Sequence, residues 1–261
     1  MDGFRAKKKY GQNFLSDMAY SERIGEAAMA KKGGNVFEIG PGGGVLTRIL
    51  LRHASHVDAI EIDEDLRPVL SRLEGEYKGR LSVTFGDFMK IPVRDLLKMD
   101  GEYSVFANIP YYITAPIIER LIGSRDRFDE IYLTVQKEAA ERICAPAGSR
   151  ESGAFSFFVE YHAERELLFE IPREAFTPAP KVDSAFIRLK IRREPPCEAP
   201  YSKIEPVVRT AFSQRRKSLR NSLKGLSPDI SDVLERAGVP PESRPEKMSL
   251  SDFARIAGLL G

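Results

Sequence analysis

The chain has little cysteine. Cys144 and Cys197 stand far apart and outside any paired-thiol spacing, so neither a disulfide framework nor a zinc ribbon can be built, and a reducing compartment suits it. No apolar run approaches the ~18 residues that a bilayer-spanning helix needs. The basic opening stretch MDGFRAKKKYGQNFL is not followed by the apolar segment of a secretion signal, so the expectation is an untargeted, cytoplasmic protein without membrane contact. Net charge is almost absent: 40 Lys and Arg against 38 Asp and Glu leave +2, so any site for a polyanion must be a local patch. His53 and His56 lack a third ligand at useful spacing, so no metal site is expected. His162 has no nucleophile to activate. Internal repeats and low-complexity tracts are also missing.

What is present is an ordinary globular composition, 42% hydrophobic and 30% charged over 261 residues, a length that favours two units of unequal size. From Asn35 short apolar runs alternate with amphipathic stretches, the signature of an α/β chain with a largely parallel sheet. Strands are expected at residues 35–40, 56–62, 81–85, 103–107, 131–135, 167–171 and 185–191. Helices are expected at 45–52 and at 64–74, the latter capped by Asp63. The run AFIRLKI (185–191) alternates as a half-exposed strand near a sheet edge would. Three prolines within 194–200 (EPPCEAP) read as a linker. Beyond it the pattern is helical: Ser227 and Pro228 begin one helix, and Ser249 to Asp252 has the spacing of a capping box. The boundary is therefore expected between residues 1–195 and 196–261.

Gly40, Pro41, Gly42, Gly43 and Gly44 follow the first of these strands and precede a helix, so the backbone there can approach a ligand without a Cβ in the way. Glu61 ends the next strand about 20 residues later, where a carboxylate accepts from both hydroxyls of a ribose. Together they predict a cofactor of the adenosine type. A dinucleotide fingerprint would place glycine at position 45, where Val45 stands, so a ligand without a pyrophosphate fits better. Asp87 can accept from the exocyclic amine of an adenine while Phe88 stacks on or beside the ring, and Ile62, adjoining Glu61, completes the predicted cofactor set.

The fourth strand ends in Asn108, Ile109, Pro110 and Tyr111. An exocyclic aromatic amine is a poor nucleophile because its lone pair is delocalised into the ring. Methyl transfer to it needs acceptors that hold both N–H groups and favour an sp³-like nitrogen. The Asn108 side-chain oxygen and the Ile109 carbonyl are candidates for that work. Pro110 would fix the carbonyl's direction and Tyr111 would offer a face to an extruded base. No catalytic triad or carboxylate pair is required, since positioning and electrostatics suffice for an in-line displacement with a neutral leaving group.

With these residues in view, the sequence resembles the ribosomal RNA adenine N6-dimethyltransferase family, most of all its bacterial small-subunit, kasugamycin-sensitivity group. The likeness runs through KYGQNFL, EIGPGGGVLT, EID, GDF, NIPYYI, VQKEAAERI, AFTPAPKVDSAFIRL and FSQRRKSLRNSL; residues 153–162 (GAFSFFVEYH) fit it only loosely. The resemblance implies a Rossmann-like class I methyltransferase domain, with a seven-stranded, mostly parallel sheet whose last strand is antiparallel, followed by a small all-helical RNA-recognition domain. It implies S-adenosylmethionine held by Asn13, Leu15, Gly40, Glu61, Asp87 and Asn108, and Phe176 facing Tyr111 across the target adenine. It implies dimethylation of two adjacent adenosines near the 3′ end of small-subunit (16S) rRNA by a monomer, within a partly assembled 30S particle, with a part in subunit biogenesis. Large-subunit rRNA adenine dimethylases and non-catalytic assembly or transcription factors share the fold and stay as alternatives; Val45 and the tetrad disfavour a nicotinamide dehydrogenase.

Two basic clusters stand out against the neutral total: Arg5, Lys7, Lys8 and Lys9, and Arg215, Arg216, Lys217, Arg220 and Lys224. Both are expected to contact RNA phosphates, which position the nucleic acid without reading its sequence.

Overall fold

The computed structural model describes Lys7 and residues 11–29, 33–146 and 148–260; Arg5, Lys8 and Lys9 lie outside the described residues. From the N-terminus the elements are β1 (Phe14–Leu15), α1 (Met18–Met29), β2 (Asn35–Ile39), α2 (Val45–Leu50), β3 (His56–Glu61), α3 (Arg67–Glu76), β4 (Leu81–Phe85), α4 (Val93–Leu96), β5 (Tyr103–Asn108) and α5 (Thr114–Gly123). There follow β6 (Phe128–Gln136), α6 (Lys137–Ile143), α7 (Ala154–His162), β7 (Ala163–Ile171), β8 (Phe176–Thr177) and β9 (Ser184–Ile191). The C-terminal helices are α8 (Tyr201–Ser213), α9 (Leu219–Leu223), α10 (Ile230–Arg236) and α11 (Leu250–Leu259). Among the described residues no helix is long and apolar enough to cross a membrane.

Seven strands form one sheet in the order β4-β3-β2-β5-β6-β9-β7. Strands β4 to β6 run parallel, and β9 is antiparallel to β6. Parallel strands covered on both faces must be apolar on both, and Val36, Phe37, Val57, Ile60, Val105 and Phe106 are almost wholly buried. The connection direction reverses between β2 and β5, whose last residues pair as Ile39↔Ala107. A crevice opens at such a reversal, beyond the carboxyl ends of the strands. The pairing therefore brings the glycine turn after β2 and Asn108 at the end of β5 to the same sheet tip.

The strand at 185–191 differs from its expectation. It is buried along nearly its whole length and is flanked by β6 and β7, whereas the edge position and the alternating exposure belong to β7. Its charged positions misled: Arg188 emerges only far enough to meet Glu166 at 2.7 Å. Asp63 caps, but it caps a single 3-10 turn at Glu64–Leu66, accepting from the Asp65 amide at 3.2 Å; α3 begins after it. Pro68 in the first turn of α3 suits a helix start, where its missing N–H leaves no bond unmade. Downstream, α10 begins at Ile230, while Ser227 accepts from the Asp229 amide just before it.

The chain divides into a unit of residues up to Ala140 with Glu166–Ile191, and a second of Glu141–Arg165 with Arg192 onward. The division thus differs from a cut at 195: α7 belongs with the C-terminal helices. Its Phe157 and Tyr161 are buried in one cluster with Val208, Leu219, Leu234 and Phe253. Phe157 meets Phe253 edge-on at 5.1 Å between ring centroids. At about 1.5–3 kcal/mol for each large apolar side chain buried, these residues bind the two sequence segments together more firmly than chain proximity would. The loosely matching stretch 153–162 is this helix.

Candidate active site at the sheet switch point

An open cleft lies in the first unit at the carboxyl tips of β2, β3 and β5, where ligands of open α/β sheets bind. Its walls come from residues 11–14, the glycine turn, Ile60 to Ile62, 86–89 and 108–113. A smaller neighbouring cavity touches Leu15, Glu38, Gly40, Val45 and Asn108.

The glycine turn is shaped for close approach. Gly40 and Gly42 have φ of +75° and +58°, a left-handed region that costs an L side chain energy. A Cβ on Gly42 would come within 2.9 Å of the Phe14 ring, so a side chain there would fill the cleft or expel Phe14. Glu61, 4% exposed, is held by two backbone donors: the Gly42 amide gives to one carboxylate oxygen at 3.1 Å and the Asp63 amide to the other at 2.9 Å. Burial pushes its carboxyl above the usual range, against those two hydrogen bonds. Each oxygen keeps a second lone pair for a ligand hydroxyl. Ile62, a large apolar side chain 42% exposed, and the buried Phe88 stand on the cleft wall. Asp87 lines it too and accepts from the Met89 amide at 2.9 Å.

Asn108 is oriented by its neighbour. Its side-chain nitrogen donates to the Asn13 carbonyl at 2.9 Å. A carbonyl can only accept, so the nitrogen end is fixed and the oxygen is left for a ligand. Ile109, Pro110 and Tyr111 continue the wall. Tyr111 and the fully buried Ser184 exchange a hydroxyl hydrogen bond of 2.8 Å. Burial raises the Tyr111 phenol, which keeps the ring neutral at physiological pH.

Two members of the expected set stand elsewhere. Phe176 is 3% exposed, pairs with Leu15 across β8 and β1, and packs in the apolar core with Ala175 and Phe186. It is not among the residues that line the main cleft in this structure. Leu15 borders the smaller cavity instead of the main cleft.

Several residues matter here that the sequence reading did not pick out. Glu38 is buried in mid-strand with the Thr47 hydroxyl donating to it at 2.6 Å, and burial pushes its carboxyl up to about 8. A lone acid inside the apolar run NVFEIG was the available signal. Arg120 of α5 donates to the carbonyls of Met89 at 3.0 Å and Ile91 at 2.5 Å and lies over Phe88, securing the Asp87 loop to the helix that follows the tetrad. Gln12 donates to Asp63 at 3.0 Å. No short-range pattern announces Arg120 or Ser184, because their partners are distant in sequence.

The basic residues are unequal. Lys7 is not a free cation: it bonds Asp63 at 2.5 Å and also pairs with Asp65, and these bonds raise its ammonium to about 12. Burial works against the Asp63 carboxylate, yet Lys7 and Gln12 together hold it below its ordinary value. Arg215 donates to the carbonyls of Arg150 and Ser152 at 2.9 and 3.0 Å, and Arg220 pairs with Glu242 at 2.7 Å. Arg216 and Lys217 are exposed. Phosphate-binding potential in this cluster thus concentrates on the exposed Arg216, Lys217 and Lys224.

Comparison with known proteins agrees over the whole length. The sequence model of the ribosomal RNA adenine dimethylases matches residues 3–260. The ribosomal RNA small subunit methyltransferase A of Pseudomonas aeruginosa is 42% identical over 257 residues, covering 98% of this chain and 95% of that protein. The protein of the same name from Clostridium botulinum is 38% identical over 258 residues, covering 97% and 94%. Among solved structures, a dimethyladenosine transferase from Plasmodium falciparum superposes with a TM-score of 0.79 at 27% identity, covering 93% of this chain and 95% of that one. The 23S rRNA methyltransferase ErmE gives 0.76 at 27% identity, covering 95% and 99%. A family model matched over residues 3–260, and relatives 38–42% identical and covered almost from end to end, place the chain in the ribosomal RNA adenine dimethylase family.

Proposed function

We propose that the protein dimethylates N6 of two adjacent adenosines near the 3′ end of small-subunit rRNA, using S-adenosylmethionine, in the cytoplasm and on a partly assembled subunit. The observation that carries this reading is the orientation of Asn108. With its nitrogen bound to the Asn13 carbonyl, the amide turns an acceptor toward a ligand at the tip of β5, where an amine donor would be held.

The cleft fits the cofactor. Gly40 and Gly42 leave room that a Cβ would occupy, Glu61 would accept from the ribose hydroxyls, and Ile62 and Phe88 would border the adenine while Asp87 accepts from its amine. Asn13 and Asn108 would complete the set on the wall of the main cleft. When bound, S-adenosylmethionine supplies a methyl group carried on a positively charged sulfur.

The chain's own residues do the rest. The Asn108 oxygen and the Ile109 carbonyl accept the two N–H bonds of the target amine, which draws the nitrogen toward sp³ geometry and returns its lone pair from the ring. Pro110, with φ −58° and ψ 132°, keeps the preceding carbonyl from swinging. Tyr111, anchored through Ser184, offers its ring face to the extruded base. As the nitrogen takes the methyl and the sulfur leaves as a neutral thioether, the nitrogen becomes cationic and releases one proton to water; a single N–H then remains, and one acceptor still suffices to hold it for the second transfer. Arg216 and Lys217 gain RNA affinity by displacing counterions.

A non-catalytic assembly factor would have no need of an oriented Asn108 or a pinned Tyr111. The discriminating experiment is transfer of labelled methyl groups from S-adenosylmethionine to small-subunit particles isolated without this modification, with large-subunit particles in parallel. Label confined to the small-subunit RNA is expected; label on large-subunit RNA, or none on either, would reject the proposal.

A further inference from the structure

Tyr112 stands beside the site, next to Tyr111. It is 68% exposed, the most exposed large apolar side chain among the described residues, yet it lines the same cleft as Asn108 to Tyr111. The turn Tyr111–Ile113 is a 3-10 turn. With three residues per turn, successive side chains leave the axis about 120° apart. Tyr111 is directed inward to Ser184, and Tyr112 therefore emerges toward solvent at the mouth. Gly11 lies alongside the ring. A Cβ on Gly11 would lie 3.2 Å from its Cε1 and 3.7 Å from its Cδ1, and Gly11 itself has φ +60°. The turn at Gly11 thus flanks one edge of the ring, and much of it is left bare.

An exposed aromatic ring at the mouth of a cleft is a ready stacking surface, because a tyrosine has few rotatable bonds to freeze. The occupant follows from the substrate. When one of two neighbouring adenosines is drawn into the cleft, its neighbour loses a stacking partner and presents a bare purine face at the mouth. We propose that Tyr112 stacks on this neighbouring base and so holds the strand while the target adenosine is extruded. The proposal rests on the reading of the cleft as an adenosine pocket. It makes Tyr112 a substrate-binding residue that distinguishes a target followed by a purine from an isolated one.

The test uses the full chain with S-adenosylmethionine and small-subunit particles reconstituted with either intact rRNA or rRNA carrying an abasic site beside one target adenosine. Tyr112→Ala is expected to raise KM for the intact particle by on the order of 10-fold, with a smaller effect on kcat, and Tyr112→Phe, which keeps the ring, to restore it. On the abasic particle the wild-type KM should rise to a similar degree and Tyr112→Ala should add nothing. An unchanged KM for Tyr112→Ala on intact RNA, or an equal penalty on intact and abasic RNA, would overturn the proposal. Failure of the wild type to methylate intact particles at all would instead strike the reading of the cleft, and would be visible before any variant is made.

Discussion

Glu38 lets the electrostatics of the site be tested without any ligand. Its carboxyl is buried at 2% exposure and is raised from 4.5 in the unfolded chain to about 8. The folded state therefore holds a proton that the unfolded state releases. This stabilises fully below the unfolded value and is lost as pH rises through the folded value. At about 1.4 kcal/mol for each unit of pH, raising the pH from about 5.5 to about 8 removes about 3 kcal/mol. Glu38→Gln keeps an acceptor for the Thr47 hydroxyl and has no proton to lose. Urea unfolding followed by circular dichroism should thus show the wild-type midpoint falling toward alkaline pH by on the order of 1 M relative to the variant. Glu61, also raised by burial, leaves a residual slope of the same sign in both. Identical slopes for the two proteins would refute the assignment of a neutral, buried Glu38.

Other expectations follow from single contacts. Asn108→Ala removes the amine acceptor and should lower the single-turnover methylation rate by about 100-fold or more while changing RNA affinity little; retention of full turnover would sink that role. Ser184→Ala leaves the half-buried Tyr111 hydroxyl without its 2.8 Å partner and should cost about 1 kcal/mol in stability. A double-mutant cycle with Tyr111→Phe should show that the two losses are not additive. Replacing Arg216 and Lys217 with Ala should weaken RNA binding and flatten its dependence on salt, whereas Arg215→Ala, which removes bonds to the Arg150 and Ser152 carbonyls, should destabilise the second unit; an unchanged salt slope in the double variant would count against the patch.

The sheet was legible because parallel strands buried on both faces write themselves as apolar runs such as VFEI and SVFA, and the cleft because glycine, strand-end acid and tetrad each sit at a β-to-α junction. What escaped was set by long-range packing. The burial of β9 depends on β7 covering its outer side, which the alternation of AFIRLKI cannot reveal. The assignment of α7 to the second unit depends on Phe157 meeting Phe253, nearly a hundred residues away by any reading of the chain. Lys7 reads as a free cation in a basic run, and only the fold brings Asp63 and Asp65 to it. The position of Phe176 belongs to the same class: its place in the core follows from pairing with Leu15, not from the residues around it.

The central claim is that the tip of β5 presents an adenine amine for methylation, and the position of the new methyl groups tests it most directly. Small-subunit rRNA treated with the protein and S-adenosylmethionine should yield, after nuclease digestion and mass spectrometry, N6,N6-dimethyladenosine at two neighbouring positions near the 3′ end. Methyl groups on a ring nitrogen, on ribose or on a base other than adenine would contradict it.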